Sequence, residues 1–247
     1  MADKSRLDNL LVERGLADSR DKARALIMAG SVFSGEQRLD KPGRMVAADA
    51  AIEVRGAAHD FASRGGVKLS HAMDHFAIEV SGRACLDIGA STGGFTDVLL
   101  REGAARVYAV DVGHGQLAWE LRNDDRVVVL ERTNARHLTA GQIPDAPQII
   151  TCDASFIGLC TLLPAALALA APGCVLVALI KPQFEVGKGR VGKGGVVRDG
   201  ALHEEVCETI RAWLTDQAGW QVLGITESPI TGPKGNMEFL IVARCDG

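Results

Sequence analysis

Apolar positions in the first thirty residues repeat at helical spacing. Leu7, Leu10 and Leu11 fall on one face of a segment from Arg6 to Arg14 that Gly15 closes, because residues three and four apart stack above one another on a helix. Asp18 or Ser19 stands where a second helix needs a cap. In that helix Ala25, Leu26 and Ile27 carry the apolar pattern on towards Gly30, while Arg20 and Arg24 sit four apart. The period then shortens. Ser31-Val32-Phe33, Gly35, Pro42-Gly43 and Ala51-Ile52-Glu53-Val54 read as small strands and turns. From Gly56 to Ser63 the periodicity is lost, which predicts a linker.

A different pattern begins at Arg64. Leu69, Ala72, Met73 and Phe76 have helical spacing, giving a helix between Lys68 and Phe76. The run Ala84-Cys85-Leu86-Asp87-Ile88 predicts a strand that enters a glycine-rich turn, followed by a helix through Phe95, Val98, Leu99 and Leu100. This is the first βα unit of a doubly wound sheet. Further strands are expected at Arg106 to Val110, Val127 to Leu130, Gln148 to Cys152, Val175 to Ile180, Gln221 to Ile225 and Phe239 to Ala243. Seven strands with intervening helices predict a Rossmann-like α/β domain over residues 60–247. A small α+β domain, with the start of the linker, occupies residues 1–59.

Composition narrows the class. Hydrophobic residues at 47% and charged residues at 23% suit a globular protein with a sizeable core. The formal net charge is -4, split as +1 over residues 1–59 and -5 over the remainder. Nucleic-acid binding must therefore come from local patches. Cys85, Cys152, Cys160, Cys174, Cys207 and Cys245 form no Cys-x-x-Cys pair and read as buried thiols in a reducing compartment. His71 and His75 share a helix face without a third partner at zinc spacing, so no metal is expected. The amino terminus lacks a signal-peptide layout. Pro164, Pro172 and Gly173 break the most apolar run, Leu159 to Leu179, below the ~18 residues a bilayer requires. A cytoplasmic protein is expected.

The first domain carries Arg6-Leu7-Asp8, Arg20-x-Lys22-Ala23-Arg24, Gly30-x-Val32 and Lys41-Pro42-Gly43 in order. Over residues 5–56 it resembles the S4 RNA-binding domain. Phe33-Ser34-Gly35 departs mildly from that family's Val-Asn-Gly turn, although serine also suits a turn. The resemblance implies that Arg6, Arg20, Lys22, Arg24 and Lys41 meet RNA.

In the second domain the turn is Gly89-x-x-x-Gly93-Gly94. Dinucleotide enzymes want Gly-x-Gly-x-x-Gly and P-loops end in Gly-Lys-Ser/Thr, so both phosphate-binding readings weaken. The loop resembles motif I of class I methyltransferases, which implies S-adenosylmethionine held along Asp87, Gly89, Ala90, Ser91, Gly93 and Gly94. Asp111 ends the second strand, where an acid can accept hydrogen bonds from both ribose hydroxyls. Asn134-Ala135 follows the third strand, where this fold meets the adenine. Asp153, after the fourth, would favour a neighbouring sulfonium cation.

Lys68, Asp153, Lys181 and Glu238 stand in Gly65-Gly66-Val67-Lys68-Leu69, after Ile149 to Cys152, in Ile180-Lys181-Pro182-Gln183-Phe184-Glu185 and in Gly235-Asn236-Met237-Glu238-Phe239. This ordered set resembles the catalytic tetrad of the FtsJ-type RNA ribose 2'-O-methyltransferases. With the S4-like domain in front, the whole chain resembles the TlyA, or haemolysin A-like, family. The resemblance implies cytidine 2'-hydroxyls of ribosomal RNA as targets and ribosomal RNA or a ribosomal subunit as partner, with oligomeric state left open. Lys181 is expected as base or hydroxyl orienter, Asp153 and Glu238 as positioning groups, and Lys68 as positive charge near the developing alkoxide. Carboxylates raise a lysine pKa while burial and a second ammonium lower it, so which lysine is neutral stays open.

Between Lys181 and Arg198 five basic residues and five glycines share one acid, Glu185. This predicts a flexible phosphate-gripping lid in which Lys188, Arg190 and Lys193, together with Arg64, contact RNA. Three rivals exist. An S4-bearing pseudouridine synthase would use an Arg-Leu-Asp acid, and such triplets end at Asp8 and Asp40, both inside the small domain. A non-catalytic RNA-binding or ribosome-assembly factor would leave the tetrad unexplained. A pore-forming haemolysin would need a membrane-entering segment.

Overall fold

The computed structural model of this chain describes residues 4–17, 19–28, 30–35, 37–54, 61–187, 189–232 and 234–246. They belong to two compact units that divide between residues 60 and 61. In the first unit, β1 (Lys4–Arg6) leads into α1 (Leu7–Glu13) and α2 (Arg20–Met28). Then come β2 (Val32–Ser34), β3 (Gln37–Arg38), β4 (Met45–Ala47) and β5 (Glu53–Val54). Strand β1 pairs antiparallel with β4, and the other three form a sheet in the order β3-β2-β5. Leu7, Leu11, Ala23, Ile27, Val32 and Leu39 make the core.

The second helix turns a different face inward from the one expected. Ala23 and Ile27, four apart, are buried, while Ala25 is exposed. The Ser19 hydroxyl accepts the Lys22 N–H at 3.2 Å and supplies the cap. Asp18, the other candidate, lies outside the described residues.

The second unit runs α3 (Gly65–Phe76), β6 (Ala84–Ile88), α4 (Gly94–Arg101), β7 (Arg106–Val110), α5 (Trp119–Arg122), β8 (Val127–Leu130) and a 3-10 turn at Ala135–His137. It continues with β9 (Ile149–Cys152), α6 (Leu159–Leu162), α7 (Pro164–Leu167), β10 (Val175–Ile180), α8 (Pro182–Glu185), α9 (Gly200–Thr215), β11 (Trp220–Glu227) and β12 (Phe239–Cys245). Seven strands form one sheet in the order β11-β12-β10-β9-β6-β7-β8. Only β12 is antiparallel, lying between β10 and β11. The parallel strands read as continuous apolar runs because both faces are covered. One side packs on Leu86, Ile150, Leu176 and Ile241 with α9, and the other on Leu69, Phe95, Leu99 and Val107 with α3 and α4.

Two boundaries differ from expectation. Helix α3 begins at Gly65, one turn ahead of Lys68. Residues 61–63, read as the end of the linker, are built into the second unit. The Ala62 N–H donates to Asp97 at 2.7 Å, the Arg101 guanidinium lies 5.2 Å from the Phe61 ring centre, and the Ser63 carbonyl accepts the Gly66 N–H at 3.0 Å. Polar spacing in the sequence could not reveal these partners, which lie on α3 and α4.

Candidate active site

Parallel strands β6, β7, β9 and β10 end at one edge of the sheet, where an open α/β fold forms its ligand crevice. Strand β12 runs the other way, so its start reaches the same edge. This arrangement brings together four side chains that are far apart in sequence. The Lys68 ammonium donates to Glu238 Oε2 at 2.6 Å and stands 3.8 Å from Asp153 Oδ2. On the other side of Asp153, Lys181 Nζ is 2.5 Å from Oδ1. The order in space is Glu238, Lys68, Asp153, Lys181, with charge sign alternating along the row.

Burial makes this pairing obligatory. Lys68 is 5% exposed, Lys181 6% and Glu238 1%, and ions removed from water need close partners of opposite sign. With all four groups ionised the row sums to zero charge, so no uncompensated ion is left in the site. Asp153 is the most open of the four, with a side chain 21% exposed.

Close packing around the row depends on glycine. A Cβ at Gly66 would come within 2.5 Å of Phe61, so only glycine lets α3 sit where Lys68 reaches Glu238. Gly232 lies against the Glu238 carboxylate, leaving no room there for a side chain.

The glycine-rich turn follows β6. Gly89 has φ 81°, and a Cβ there would stand 2.9 Å from the Asp153 carbonyl oxygen. Both facts exclude other residues. Asp111, at the end of β7, holds this loop through the Ser91 N–H, which donates to Oδ2 at 2.8 Å, and through the Gly113 N–H, which donates to Oδ1 at 2.6 Å. Each oxygen keeps a second lone pair, enough for two further donors. Asn134 caps the 3-10 turn by accepting the Arg136 N–H at 3.1 Å, and Ala135 is buried beside it.

Asp87 lies underneath the loop, not on its surface. Its carboxylate is fully buried, accepting the Thr96 hydroxyl at 2.6 Å and the Thr151 hydroxyl at 3.0 Å. Burial pushes its pKa up to about 6, against the pull of the two hydroxyls. Ala90 is buried, while Gly93 and Gly94 open the turn into α4.

The expected lid is fastened at several points. Glu185 accepts the Leu159 N–H at 2.9 Å, and burial raises its carboxyl pKa. Gly192 N–H donates to the Val196 carbonyl at 3.1 Å. Asn236, 3% exposed, accepts the Val197 N–H and donates to the Gly195 carbonyl, both at 3.0 Å. Asn236 thus ties the glycine-rich segment to the strand start that bears Glu238, a role its neighbours in sequence do not disclose. Arg190 is engaged by Glu205 at 2.5 and 2.6 Å. Lys193 is exposed, Arg64 is half-buried at the start of α3, and Lys188 lies outside the described residues.

Two more residues at the site escaped the sequence reading. Ser155 Oγ accepts a hydrogen bond from Lys181 Nζ at 3.0 Å. Phe156 is 90% exposed with φ 69°, its ring centre 5.2 Å from that of Phe184.

In the first unit, Arg6, Arg20 and Arg24 converge on one carboxylate. Asp8 accepts from them at 2.9, 3.1 and 3.4 Å, and its side chain has no exposed surface while theirs are 42 to 49% exposed. The guanidiniums hold the Asp8 pKa well below the ordinary carboxylate range. Asp8 is therefore the anchor of a basic cluster, which accounts for one of the two Arg-Leu-Asp triplets. Lys22 and Lys41 are exposed on the same unit.

Comparison with known proteins agrees with this architecture. Residues 61–245 match the FtsJ-like methyltransferase model and residues 5–52 the S4 domain model. The chain is 49% identical over 245 residues to the 16S/23S rRNA (cytidine-2'-O)-methyltransferase TlyA of Mycobacterium tuberculosis, covering 99% of this chain and 91% of that one. It is also 49% identical over 239 residues to YqxC of Bacillus subtilis, named as an rRNA methyltransferase, covering 96% and 85%. A solved structure described as a hemolysin from Streptococcus thermophilus superposes with a TM-score of 0.78 at 42% identity, covering 99% of this chain and 90% of that one. With the tetrad, the glycine loop and the small basic unit in place, the chain belongs to the TlyA family of FtsJ-like methyltransferases that carry an S4 domain.

Proposed function

We propose that this chain methylates the ribose 2'-hydroxyl of a cytidine in ribosomal RNA, drawing the methyl group from S-adenosylmethionine and acting in the cytoplasm. The observation that carries the reading is the alternating row Glu238, Lys68, Asp153, Lys181 at the strand ends beside the glycine loop. The loop fits a nucleoside donor. Gly89 lets the loop pack directly against the Asp153–Ala154 backbone, and Asp111 offers spare lone pairs to a ribose diol. Asn134 and Ala135 would meet the base. Bound S-adenosylmethionine supplies an electrophilic methyl carbon on a sulfonium.

The protein's own groups do the rest. A ribose hydroxyl is a poor nucleophile until its proton is taken. Lys181, at the end of the row away from Glu238, takes that proton, and Asp153 fixes its orientation. Lys68, locked by Glu238, adds positive charge where the alkoxide develops. Closing the row against water keeps these charges effective, since Coulomb interactions strengthen as the local dielectric falls.

The first unit delivers RNA. One buried carboxylate holding three half-exposed guanidiniums leaves surplus positive charge at the surface, suited to phosphate oxygens. Lys41 extends the same reading.

Lys181→Ala tests the assignment. Single-turnover methylation of ribosomal RNA should fall by ~10² or more, while calorimetric affinity for S-adenosylmethionine and RNA affinity stay at parental values; Tm falls, because Asp153 keeps only the longer contact to Lys68. Parental turnover in this variant would remove Lys181 from the mechanism. Mapping 2'-O-methyl groups on ribosomal RNA from cells with and without the gene identifies the nucleotide.

A further inference from the structure

The three hydrogens of a protonated Lys181 all have partners. One points to Asp153 Oδ1 at 2.5 Å, one to the Asp153 carbonyl at 3.4 Å and one to Ser155 Oγ at 3.0 Å. A base must instead present a lone pair. Once Lys181 is neutral, two N–H groups and one lone pair must be distributed over the same three directions. A carboxylate and a carbonyl can only accept hydrogen bonds, whereas a hydroxyl accepts or donates by rotating its proton. The lone pair can therefore face only Ser155.

The backbone is bent to keep that hydroxyl in place. Directly after Ser155, Phe156 adopts φ 69°, a left-handed conformation that a residue with a Cβ disfavours. The Phe156 ring lies against Phe184, two residues before Val186 on the segment that leaves β10 through Lys181. Ser155 itself is exposed to the crevice.

We infer that Ser155 is a catalytic residue of the methyl transfer, relaying the ribose proton to Lys181. The inference rests on the reading of Lys181 as the base. The ribose hydroxyl donates to Ser155 Oγ, whose own proton points at the Lys181 lone pair. As the bond from ribose oxygen to methyl carbon forms, the carbon–sulfur bond breaks with its electron pair left on sulfur. The ribose proton passes to Ser155 Oγ while the serine proton passes to Lys181 Nζ. Serine ends as it began, neutral and hydroxylated, and the lysine ends as an ammonium whose third hydrogen bond is the one seen in this structure.

The test compares Ser155→Ala, Ser155→Thr and Lys181→Ala in the full chain, with ribosomal RNA and S-adenosylmethionine. Ser155→Ala should lower the single-turnover rate by about 10²-fold, with RNA affinity, cofactor affinity and Tm unchanged. Ser155→Thr, which keeps a hydroxyl, should restore most of the rate. In mixtures of light and heavy water the parental rate should depend on deuterium content along a bowed curve, as two moving protons require, and Ser155→Ala should give a straight line. Parental turnover in Ser155→Ala beside an inactive Lys181→Ala would overturn the relay alone. A threonine variant as slow as the alanine one would overturn it too. Full activity in Lys181→Ala would remove the reading on which it rests.

Discussion

Asp8 and Asp87 are both aspartates without exposed surface, and they behave in opposite ways. Asp8, in the small unit, is ringed by three guanidiniums that hold its pKa far below the ordinary range. Asp87, beneath the glycine loop, has two threonine hydroxyls and the Thr96 backbone amide as donors and no cation, and burial lifts its pKa to about 6. The difference lies in the partners, since burial penalises both charges. A hydroxyl offers a dipole where a guanidinium offers a full opposite charge and a forked pair of donors. The small unit thus keeps a permanent anion that gathers three half-exposed cations. The catalytic unit keeps an acid under the loop whose charge costs stability at neutral pH and which takes up a proton about two pH units sooner than an exposed aspartate would.

The contrast can be broken most severely at Asp8. Asp8→Ala leaves three guanidiniums repelling one another and should cost about 3 kcal/mol, the low end for breaking a buried pair because the arginines remain half in water. Hydrogen exchange of amides in residues 4–54 of the full chain should accelerate by about 10²-fold, as that energy implies. Unchanged exchange would show that the cluster is decorative. Because the folded pKa is depressed, the stabilisation is complete above about pH 4 and is lost as the pH falls further.

Asp87 has the opposite sign. Its folded pKa exceeds the unfolded value, so the folded state binds the proton more tightly and its stability declines as pH rises from about 4 to about 6. Asp87→Asn removes that penalty and keeps hydrogen-bonding capacity towards Thr96 and Thr151. At pH 7 it should gain about 1 to 2 kcal/mol of the ~3 that the shift represents, and the gain should shrink by pH 5. Trp119, Trp213 and Trp220 all lie in the second unit, so urea unfolding followed by their fluorescence reads this unit alone. Equal destabilisation at both pH values would contradict the assignment.

The smallest effect sharpens the comparison at its rim. Arg20→Lys keeps the charge near Asp8 but loses the planar fork, and should cost below about 1 kcal/mol in stability, as half-exposed pairs do. On the proposed reading, RNA affinity should drop more than stability, measured by filter binding at several salt concentrations.

Much of this was legible in the sequence, and the limits have physical causes. The parallel strands announced themselves as apolar runs because both their faces are covered, and three of the four charged residues, Asp153, Lys181 and Glu238, were visible because they stand at strand ends that the fold must bring to one edge, with Lys68 reaching them from α3. Three-residue strands such as β1 and β4 are too short to display a period of two. Asp8 looked like an ordinary acid in a triplet, since its importance comes from Arg20 and Arg24 on the next helix. Ser155, Asn236 and Gly232 act through partners that no local spacing identifies. Phe61 to Ser63 read as linker because their anchors, Asp97, Arg101 and Gly66, follow later in the chain.

The Lys68–Glu238 pair joins positions 170 residues apart. A growing chain can complete β6, the glycine loop and β7 long before β12 has been synthesised. Until β12 inserts between β10 and β11, Lys68 lacks the acid that secures it. On the proposed assignment of the row, the site is therefore completed in one late event of chain assembly, the insertion of the last strand.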